Sequence, residues 1–387
     1  MKKNIGIVTT SRADFGLLYP IILKMDMWDD FSIKVIATGM HLLKEYGYTL
    51  KYVKERCKHV DKVELFMDDL DKYKLVKSIG IGFESFSDYF KNNKFDCIIV
   101  LGDRTELIVP VYSAMICDIP VCHIFGGDSI SNYVTYDNNV RHCITKLSNI
   151  HFTATEEHAN RIKKLGEEEW RIFNVGSPAI DYIESCNYIN KNLLQSKFSK
   201  IDFNKPYCVL TFHPVPTEFD YINNQINNII ESIKDVDFQV ICTKPNNDLG
   251  SEKILDRIGM ENKNNNNFLL VDSLTQEEYY SIVKYSYFLI GNSSSIILES
   301  SSFNKPSINI GTRQLGRIKG QNVIDTDYSV DGIKKAIEKC TNNIEFKNIC
   351  QNCVNPYGDA NTSDKIVKIL RNVLRDKKKL LIKKITY

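Results

Sequence analysis

Strand-like and helix-like patterns alternate from one end of the chain to the other, and this alternation limits the possible folds more than any other feature. It predicts an α/β fold with parallel sheets, because consecutive parallel strands must be joined by a crossover connection, usually a helix. The predicted strands form a first series, 4–9, 32–38, 96–101, 119–125, 150–154 and 171–175, and a second series, 207–212, 238–243, 268–271, 287–291 and 306–310. The two series predict two domains, each with a doubly wound parallel sheet.

A change in composition separates the two series. The stretch 186–205 is rich in Asn, Lys, Gln and Ser, and we interpret it as a linker. It divides the 387 residues, too many for one typical domain, into an N-terminal domain (1–185) and a C-terminal domain (206–362). Residues 363–387 are predicted to form a closing helix and a basic tail whose lysines are solvated. Ligands of such sheets bind beyond the carboxyl ends of the strands, so we expect an active-site cleft between the domains.

Composition excludes several classes of protein. The net charge of +2 gives no general footprint for nucleic acid, and no apolar run approaches the roughly 18 residues that would cross a membrane. The N-terminus passes directly into a strand-like run, so we expect a cytoplasmic protein. Four of the eleven cysteines, Cys97, Cys122, Cys208 and Cys242, lie in strand-like runs as small buried hydrophobes. The pair Cys350-Gln-Asn-Cys353 lacks the four ligands of a zinc site, and no metal is expected.

Residues 291–299, Gly-Asn-Ser-Ser-Ser-Ile-Ile-Leu-Glu, follow the apolar run 287–290. Ser293 or Ser294 suits the N-cap of a following helix. A strand that leads through small polar residues into a helix makes an anion site, because free N–H groups and the helix dipole point at the ligand. Glu299, about one turn inside that helix, could reach a hydroxyl beside the anion. The stretch therefore indicates a nucleotide diphosphate site, with an ordinary serine-rich helix cap as the alternative.

Polar residues also follow the strands of the N-terminal half. Arg12 follows the first strand, where it could contact a ligand or be a surface charge. His41 follows the second strand, where it could contact a ligand or serve as a cap. Asp103 follows the strand 96–101, as a helix cap or as a general base facing the cleft. Asp128 follows two glycines, which allow a sharp turn or a close approach to a ligand.

Later candidates extend this set. Asp137 and Arg141 are four residues apart on a predicted helix, where they could form a structural pair. His213 ends a strand of the second series and can transfer protons or stabilise an anion near neutral pH. Arg313 and Arg317 lie on a glycine-containing loop that suits phosphate or carboxylate recognition.

Together these residues resemble the hydrolysing UDP-N-acetylglucosamine 2-epimerases, a family that makes N-acetylmannosamine for sialic acid. Eight motifs in order carry the resemblance: Ser11-Arg12-Ala-Asp14-Phe-Gly16, Thr38-Gly39-Met40-His41, Gly102-Asp103-Arg104, His123-Ile-Phe-Gly-Gly-Asp128, Arg141-His142-Cys-Ile-Thr145-Lys146-Leu-Ser148, His213-Pro-Val215, Gly291-Asn-Ser-Ser294 and Gly311-Thr-Arg-Gln-Leu-Gly-Arg317. The resemblance covers nearly the whole chain and implies the GT-B fold, with the substrate between two Rossmann-like domains.

The resemblance also implies roles for the residues. Ser293 and Ser294 would hold the diphosphate with the charge of Arg313, and Glu299 would bind the ribose hydroxyls. The candidate catalytic residues are Asp103, Asp128 and Asp137 around the sugar and His213 near the leaving diphosphate. The candidate substrate-binding residues are Arg12, His41, Arg141, Asn292, Ser293, Ser294, Glu299, Arg313 and Arg317.

The mechanism of that family is anti elimination of the nucleotide diphosphate to a glycal, followed by addition of water with inversion at C2. The carboxylates would supply the base for the C2 proton, and we leave open which of them takes it. His213, Arg313 and the helix N-terminus would stabilise the departing diphosphate. The resemblance implies that no metal or redox cofactor is needed. It also implies that the protein forms a homodimer or homotetramer.

Details of the motifs bear on the substrate. Non-hydrolysing relatives carry His-Arg-x-Glu-Asn where this chain has His213-Pro-Val-Pro-Thr, which favours release of free sugar. Three departures from the family lie toward the sugar: Asp128 replaces a glutamate, the following loop is longer and carries Tyr133 and Tyr136, and Ile296 replaces a common glycine. We predict UDP-N-acetylglucosamine as the substrate. Because of the three departures, the alternative substrate is a nucleotide-linked 2,4-diacetamido-2,4,6-trideoxyglucose on the route to legionaminic acid. A GT-B glycosyltransferase is the lower alternative for the function.

Overall fold

A computed structural model describes residues 2–44, 47–65, 72–129, 136–234, 236–245, 249–272 and 274–386. The chain divides into two compact units. The first unit comprises the described residues of Met1–Asp128, Thr135–Tyr182 and Tyr357–Tyr387, and the second comprises Ser129 and those of Ile183–Pro356. The segment that we interpreted as a linker, 186–205, contains a helix and belongs to the second unit.

The first unit is built on a parallel sheet. Its strands are β1 (Lys3–Thr9), β2 (Phe31–Ala37), β3 (Val60–Lys62), β4 (Cys97–Leu101), β5 (Val121–Ile124), β6 (Ile150–Thr153) and β7 (Ile172–Asn174). The helices between and after them are α1 (Arg12–Asp26), α2 (Leu50–Arg56), α3 (Lys72–Asn92), α4 (Ile108–Ile116), α5 (Tyr136–Leu147), α6 (Glu156–Lys164) and α7 (Pro178–Ser185). Short 3-10 helices cover Gly39–Leu42, Thr105–Leu107 and Glu169–Arg171.

The second unit repeats this plan. Its strands are β8 (Tyr207–Thr211), β9 (Gln239–Thr243), β10 (Phe268–Val271), β11 (Phe288–Gly291), β12 (Ser307–Ile310) and β13 (Val323–Thr326). Its helices are α8 (Lys191–Lys197), α9 (Ile222–Ser232), α10 (Ser251–Asn264), α11 (Gln276–Tyr285), α12 (Ser294–Leu298), α13 (Val330–Asn342) and α14 (Ile344–Gln351), with 3-10 helices at Pro216–Tyr221 and Ser300–Phe303. The chain then returns to the first unit through α15 (Thr362–Val373) and α16 (Lys377–Leu381).

The order of the strands determines where each sheet can bind a ligand. Among the described residues the orders are β3-β2-β1-β4-β5-β6-β7 and β10-β9-β8-β11-β12-β13, and the neighbouring strands in both sheets are parallel. In each sheet the direction of winding reverses once, between β1 and β4 and between β8 and β11. Loops diverge from the carboxyl ends of the strands at such a point and leave a crevice for ligands. The predicted doubly wound, Rossmann-like fold class is confirmed.

Apolar packing covers both faces of the first sheet. Ile5 and Ile7 belong to a buried cluster with helices α1 and α15, whereas Val8 belongs to another with Phe86 and Phe90 of α3. Because neighbouring residues of a strand point to opposite faces, a strand buried on both sides must be apolar throughout. This is why the strands were recognisable as apolar runs.

All eleven predicted strands are present, with ends within two residues of those predicted. Strands β3 and β13 were not predicted. Both lie at a sheet edge, are three and four residues long and carry an aspartate, and their residues are half-buried or exposed. Short, charged strands at a sheet edge have little apolar pattern. Such a strand pairs with another strand on one side only, and its two faces are only partly covered by packing.

The C-terminal tail is docked on the first unit. The guanidinium of Arg171, which is fully buried, donates to the carbonyl oxygens of Leu380 at 2.9 Å and Ile382 at 2.6 Å. The ammonium of Lys383 lies 2.8 Å from the carboxylate of Glu167, whose side chain has no exposed surface. The prediction that the tail lysines are solvated is therefore wrong for Lys383, because a buried carboxylate needs cationic partners. Within the described residues, no helix is both long and apolar enough to cross a bilayer.

Candidate functional site

The end of strand β11 admits only glycine. Gly291 has φ +133°, and a Cβ atom there would lie 2.0 Å from the carbonyl oxygen of Thr211 on the neighbouring strand. After Asn292 the chain enters α12, and the hydroxyl of Ser293 accepts from the N–H of Ser295 at 3.3 Å. The predicted N-cap is thus confirmed at Ser293. The helix has five residues, so its free N–H groups matter more than its dipole.

Asn292 joins the loops that follow β8, β11 and β12. Its fully buried side chain accepts from the N–H of His213 at 2.7 Å and donates to the carbonyl oxygen of the same residue at 2.8 Å. Its own carbonyl oxygen accepts from the side chains of Gln314 at 2.8 Å and Arg313 at 3.2 Å. Arg317 in turn donates to the Gln314 amide at 2.9 Å. Four predicted site residues of the second unit, Asn292, His213, Arg313 and Arg317, therefore belong to one hydrogen-bonded group.

Glu299 ends helix α12 rather than lying inside it. Its half-buried carboxyl accepts from the hydroxyl of Tyr280 at 3.2 Å, and burial raises its pKa to about 7. The neighbouring Tyr279 lies 2.6 Å, hydroxyl to hydroxyl, from Ser295 in the first turn of the helix. Helix α11 therefore fixes both ends of the short segment that was predicted to bind a nucleotide.

In the first unit, the loop after β1 is organised by Asp14 rather than by Arg12. The buried Asp14 carboxylate accepts from the N–H groups of Thr10 at 2.9 Å and Ser11 at 3.1 Å, and completes a capping box at the start of α1. A carboxylate held in this way stabilises a helix N-terminus. The guanidinium of Arg12 is half-buried and lies 4.9 Å from the ring centre of Tyr52.

His41 is enclosed by the fold. Its ring is fully buried, with Nε2 3.0 Å from the hydroxyl of Thr9 and Nδ1 2.7 Å from that of Thr49. Burial, partly opposed by the nearby Asp14 carboxylate, lowers its pKa. Because both ring nitrogens are occupied, His41 connects the ends of β1 and β2 in this conformation and offers no nitrogen to a ligand.

Arg141 links the Asp103 carboxylate to the backbone of Asp128. Its side chain is 3% exposed and donates to the Asp103 carboxylate, to the carbonyl oxygen of Asp128 at 2.9 Å and to Asn138 at 3.0 Å. The guanidinium fork can hold such divergent partners at once, whereas a lysine could not. Asp137 is exposed on the first turn of the same helix, α5.

Asp128 follows a tight turn against helix α6. Gly127 has φ +79°, and a Cβ atom there would lie 2.2 Å from the carbonyl oxygen of His158. Phe125 also has positive φ, +67°, which a bulky residue rarely adopts. The Asp128 carboxylate lies 3.5 Å from Nε2 of His158, a residue that the sequence analysis did not single out. Of the longer loop noted above, Tyr133 and the side chain of Tyr136 lie outside the described residues.

Two further residues beside Asp103 escaped the sequence analysis as individuals. His123 is fully buried, with Nε2 2.8 Å from the carbonyl oxygen of Gly102 and Nδ1 3.1 Å from the hydroxyl of Thr145. Burial lowers its pKa to about 3, so the ring is neutral and Nε2 carries the proton donated to Gly102. Glu106 is buried 3.7 Å from Arg104, and burial raises its pKa. The available signal was a titratable residue inside an apolar run for His123 and directly before one for Glu106.

The chain matches one protein-family model and is similar to several known proteins. The family model for UDP-N-acetylglucosamine 2-epimerase matches residues 24–371. A hydrolysing UDP-N,N'-diacetylbacillosamine 2-epimerase of Legionella pneumophila is 32% identical over 374 residues, 96% of this chain and 97% of that protein. A hydrolysing GDP/UDP-N,N'-diacetylbacillosamine 2-epimerase of Campylobacter jejuni is 35% identical over 380 residues, 97% of each. The polysialic acid biosynthesis protein P7 of Escherichia coli is 32% identical over 382 residues, 97% of this chain and 96% of that protein.

The fold of this chain is also similar to that of a solved structure. The UDP-GlcNAc 2-epimerase of Neisseria meningitidis, solved with UDP-GlcNAc bound, superposes with a TM-score of 0.80. The match covers 95% of this chain and 99% of that one at 20% sequence identity.

Proposed function

Because this chain belongs to the UDP-N-acetylglucosamine 2-epimerase family, we propose that it hydrolyses a UDP-linked 2-acetamido sugar to UDP and the free sugar epimerised at C2. The observation that carries the proposal is the Asn292 network. It groups His213, Arg313 and the start of α12, three sources of positive potential for one departing diphosphate. In this proposal Glu299 binds the ribose of the same nucleotide, and Ser293 and Ser294 hold its phosphates.

The reaction proceeds in two balanced steps. A carboxylate takes the C2 proton, a C1–C2 double bond forms, and the C1–O bond breaks so that UDP leaves with the electron pair. Water then adds to the glycal, placing hydroxyl on C1 and hydrogen on the opposite face of C2. Asp103 and Asp128, which Arg141 holds together, and Asp137 are the candidate bases.

The family resemblance placed UDP-N-acetylglucosamine first as the substrate. Two relatives that match this chain over nearly their whole length are named for N,N'-diacetylbacillosamine, a 2,4-diacetamido-2,4,6-trideoxyglucose. These names favour the 2,4-diacetamido sugar over N-acetylglucosamine. Asp128, which stands where the family has a glutamate, is a departure on the sugar side that supports the same choice. We therefore propose the UDP-linked 2,4-diacetamido sugar as the better substrate.

Mass spectrometry of products decides among the candidates. The chain is incubated in D₂O with UDP-N-acetylglucosamine, with the UDP-linked 2,4-diacetamido sugar and with its GDP-linked counterpart. We expect free sugar with one deuterium at C2, together with UDP, fastest from the second substrate. Accumulation of a UDP-linked epimer would contradict the hydrolytic reaction. Turnover only with a sugar acceptor would instead indicate a GT-B glycosyltransferase.

The same assay ranks the carboxylates. Asp103→Asn, Asp128→Asn and Asp137→Asn are compared for deuterium incorporation at C2. Loss of the base should abolish elimination while UDP binding remains measurable, because the nucleotide is assigned to residues of the second unit. A variant that turns over at the wild-type rate is not the base.

A further inference from the structure

The loop that carries Arg313 is also held by a carboxylate that the proposed reaction does not use. Glu218 lies in the 3-10 helix Pro216–Tyr221, in the loop that follows β8, at a kink with φ −115° and ψ 20°. Its Oε1 accepts from the hydroxyl of Thr312, 94 residues later in the chain. Glu218 therefore connects the loop of His213 to the loop of Arg313.

The second carboxylate oxygen of Glu218 is also fully engaged. Oε2 accepts from the hydroxyl of Tyr328 at 2.7 Å and from the side-chain amide of Gln225 at 2.6 Å. An ionised carboxylate only accepts hydrogen bonds, so it can receive all three donors at once. An amide in its place would direct its NH₂ group against a donor.

Tyr328 completes the attachment of the loop. Its hydroxyl lies 3.4 Å from the N–H of Thr312, and its ring fills the space beside Gly311. A Cβ atom on Gly311, which has φ +75°, would lie 2.0 Å from Cζ of that ring. Burial, and then the Glu218 carboxylate, raises the pKa of Tyr328, so the hydroxyl keeps the proton that it donates. The residues immediately before Arg313 are thereby fixed on two sides.

A negative charge close to a diphosphate site would normally weaken binding by repulsion. Glu218 instead holds the loops together through its three donors. These hydrogen bonds are strong, because charge-assisted hydrogen bonds are about twice as strong as neutral ones. Together with Asn292, which holds Arg313 and the backbone of His213, Glu218 closes a ring of hydrogen bonds around the loops after β8, β11 and β12.

We propose that Glu218 is a positioning residue for the diphosphate: through Thr312 it fixes the loop 311–317 and thereby aims the guanidinium of Arg313 at the start of α12. This inference rests on the proposed function, since it takes the diphosphate of UDP as the ligand of that loop. Glu218 itself touches neither substrate nor product.

Calorimetric binding of UDP to the full chain tests the inference. Glu218→Gln and Thr312→Val are each expected to raise the Kd for UDP about tenfold, the equivalent of one charge-assisted hydrogen bond. Thr312→Ser keeps the hydroxyl and should recover most of the affinity lost in Thr312→Val. The KM for the nucleotide sugar should rise by about the same factor, and kcat should fall as well, because in the proposed function Arg313 also stabilises the diphosphate as it departs.

A double-mutant comparison separates positioning from a general loss of structure. If Glu218 acts through Arg313, Thr312→Val should add little to the loss of UDP affinity caused by Arg313→Ala. An equal tenfold loss in both backgrounds would overturn the inference. So would unchanged UDP affinity in Glu218→Gln and Thr312→Val while the wild-type chain binds UDP. A wild-type chain that binds no UDP would instead refute the proposed function, and this inference with it.

Discussion

Tyr280 donates a hydrogen bond to Glu299, with 3.2 Å between the phenol oxygen and Oε1. The carboxyl lies in an apolar setting, since the Tyr280 ring packs 5.6 Å from that of Phe303 in the next 3-10 helix. Burial raises the pKa of Glu299 from 4.5 to about 7. A group that was predicted to bind ribose therefore titrates near neutral pH.

The first prediction concerns stability. The pKa of Glu299 is higher in the folded chain than in the unfolded chain, so the folded state binds more protons between about pH 4.5 and about pH 7. The contribution of Glu299 to the free energy of unfolding is present at low pH and decreases as pH rises through that window. Thermal unfolding across it should show this decrease in the wild-type chain and in Glu345→Gln, an exposed control, but not in Glu299→Gln. Parallel profiles for all three would contradict it.

The second prediction concerns UDP binding. An ionised Glu299 accepts hydrogen bonds from ribose hydroxyls more strongly than a protonated one. UDP affinity should therefore increase as pH rises through about 7. The terminal phosphate of UDP also titrates near pH 6, so the informative quantity is the difference between the wild-type chain and Glu299→Gln. A constant difference from about pH 6 to about pH 8 would exclude Glu299 from nucleotide binding.

The third prediction concerns the close approach of β11 to β8. Gly291→Ala places a Cβ atom against the carbonyl oxygen of Thr211 and imposes a positive φ on alanine. We expect the free energy of unfolding to fall by more than about 1 kcal/mol, with loss of UDP affinity because Asn292 and Ser293 move. Gly259→Ala is the matched control, since a Cβ atom there meets nothing within 4 Å on helix α10. That variant should be stabilised by about 0.5–1 kcal/mol. Equal effects in denaturant unfolding would refute the steric argument.

The fourth prediction concerns Arg141, which links the Asp103 carboxylate to the backbone carbonyl oxygen of Asp128. Arg141→Lys keeps the charge, but one ammonium cannot serve both Asp103 and the carbonyl oxygen of Asp128. We expect kcat to fall about 100-fold through misplaced catalytic groups, while the Kd for UDP stays near the wild-type value. Arg257→Lys, on helix α10, controls for the substitution itself. A normal kcat in Arg141→Lys would show that this alignment is unnecessary.

The fifth prediction concerns the docked tail. Burial opposes ionisation of Glu167, but hydrogen bonds from His151, Lys146 and Lys383 outweigh it and lower its pKa to about 2. Because the pKa is lower in the folded chain, the stabilisation is present above about pH 4.5 and is lost as pH falls toward about 2. Glu167→Gln should increase hydrogen exchange of residues 377–386 at neutral pH and flatten its acid dependence. Glu169→Gln, whose carboxylate is exposed, should behave as the wild-type chain. Unchanged protection in Glu167→Gln would mean that the tail is held by other contacts.

Local signals accounted for much of the fold. The eleven predicted strands and the N-cap at Ser293 are confirmed, since strand burial and capping depend on residues within a few positions of each other. The family resemblance is confirmed as well, because the family model matches residues 24–371 and two relatives are 32% and 35% identical over nearly the whole chain. The roles of the individual site residues remain predictions for the experiments above.

Other features could not be read locally. The strands β3 and β13 lie at sheet edges and have too little apolar pattern. Lys383 looked like part of a solvated basic tail, because its partner Glu167 is 216 positions earlier in the chain. His123 was hidden for the same reason, since its partners Gly102 and Thr145 come from the end of another strand and from a helix.

The amino-acid sequence by itself determined the alternating elements, the two doubly wound sheets and the residues at their strand ends, because these follow from hydrophobic period and capping over short distances. Only the tertiary structure decided how those residues are paired. Arg141 meets Asp103 across 38 positions, Asn292 holds His213 across 79 and Glu218 holds Thr312 across 94. Such pairings depend on strand order and on which loops emerge side by side, and many sequence positions could have satisfied the same hydrogen-bonding need.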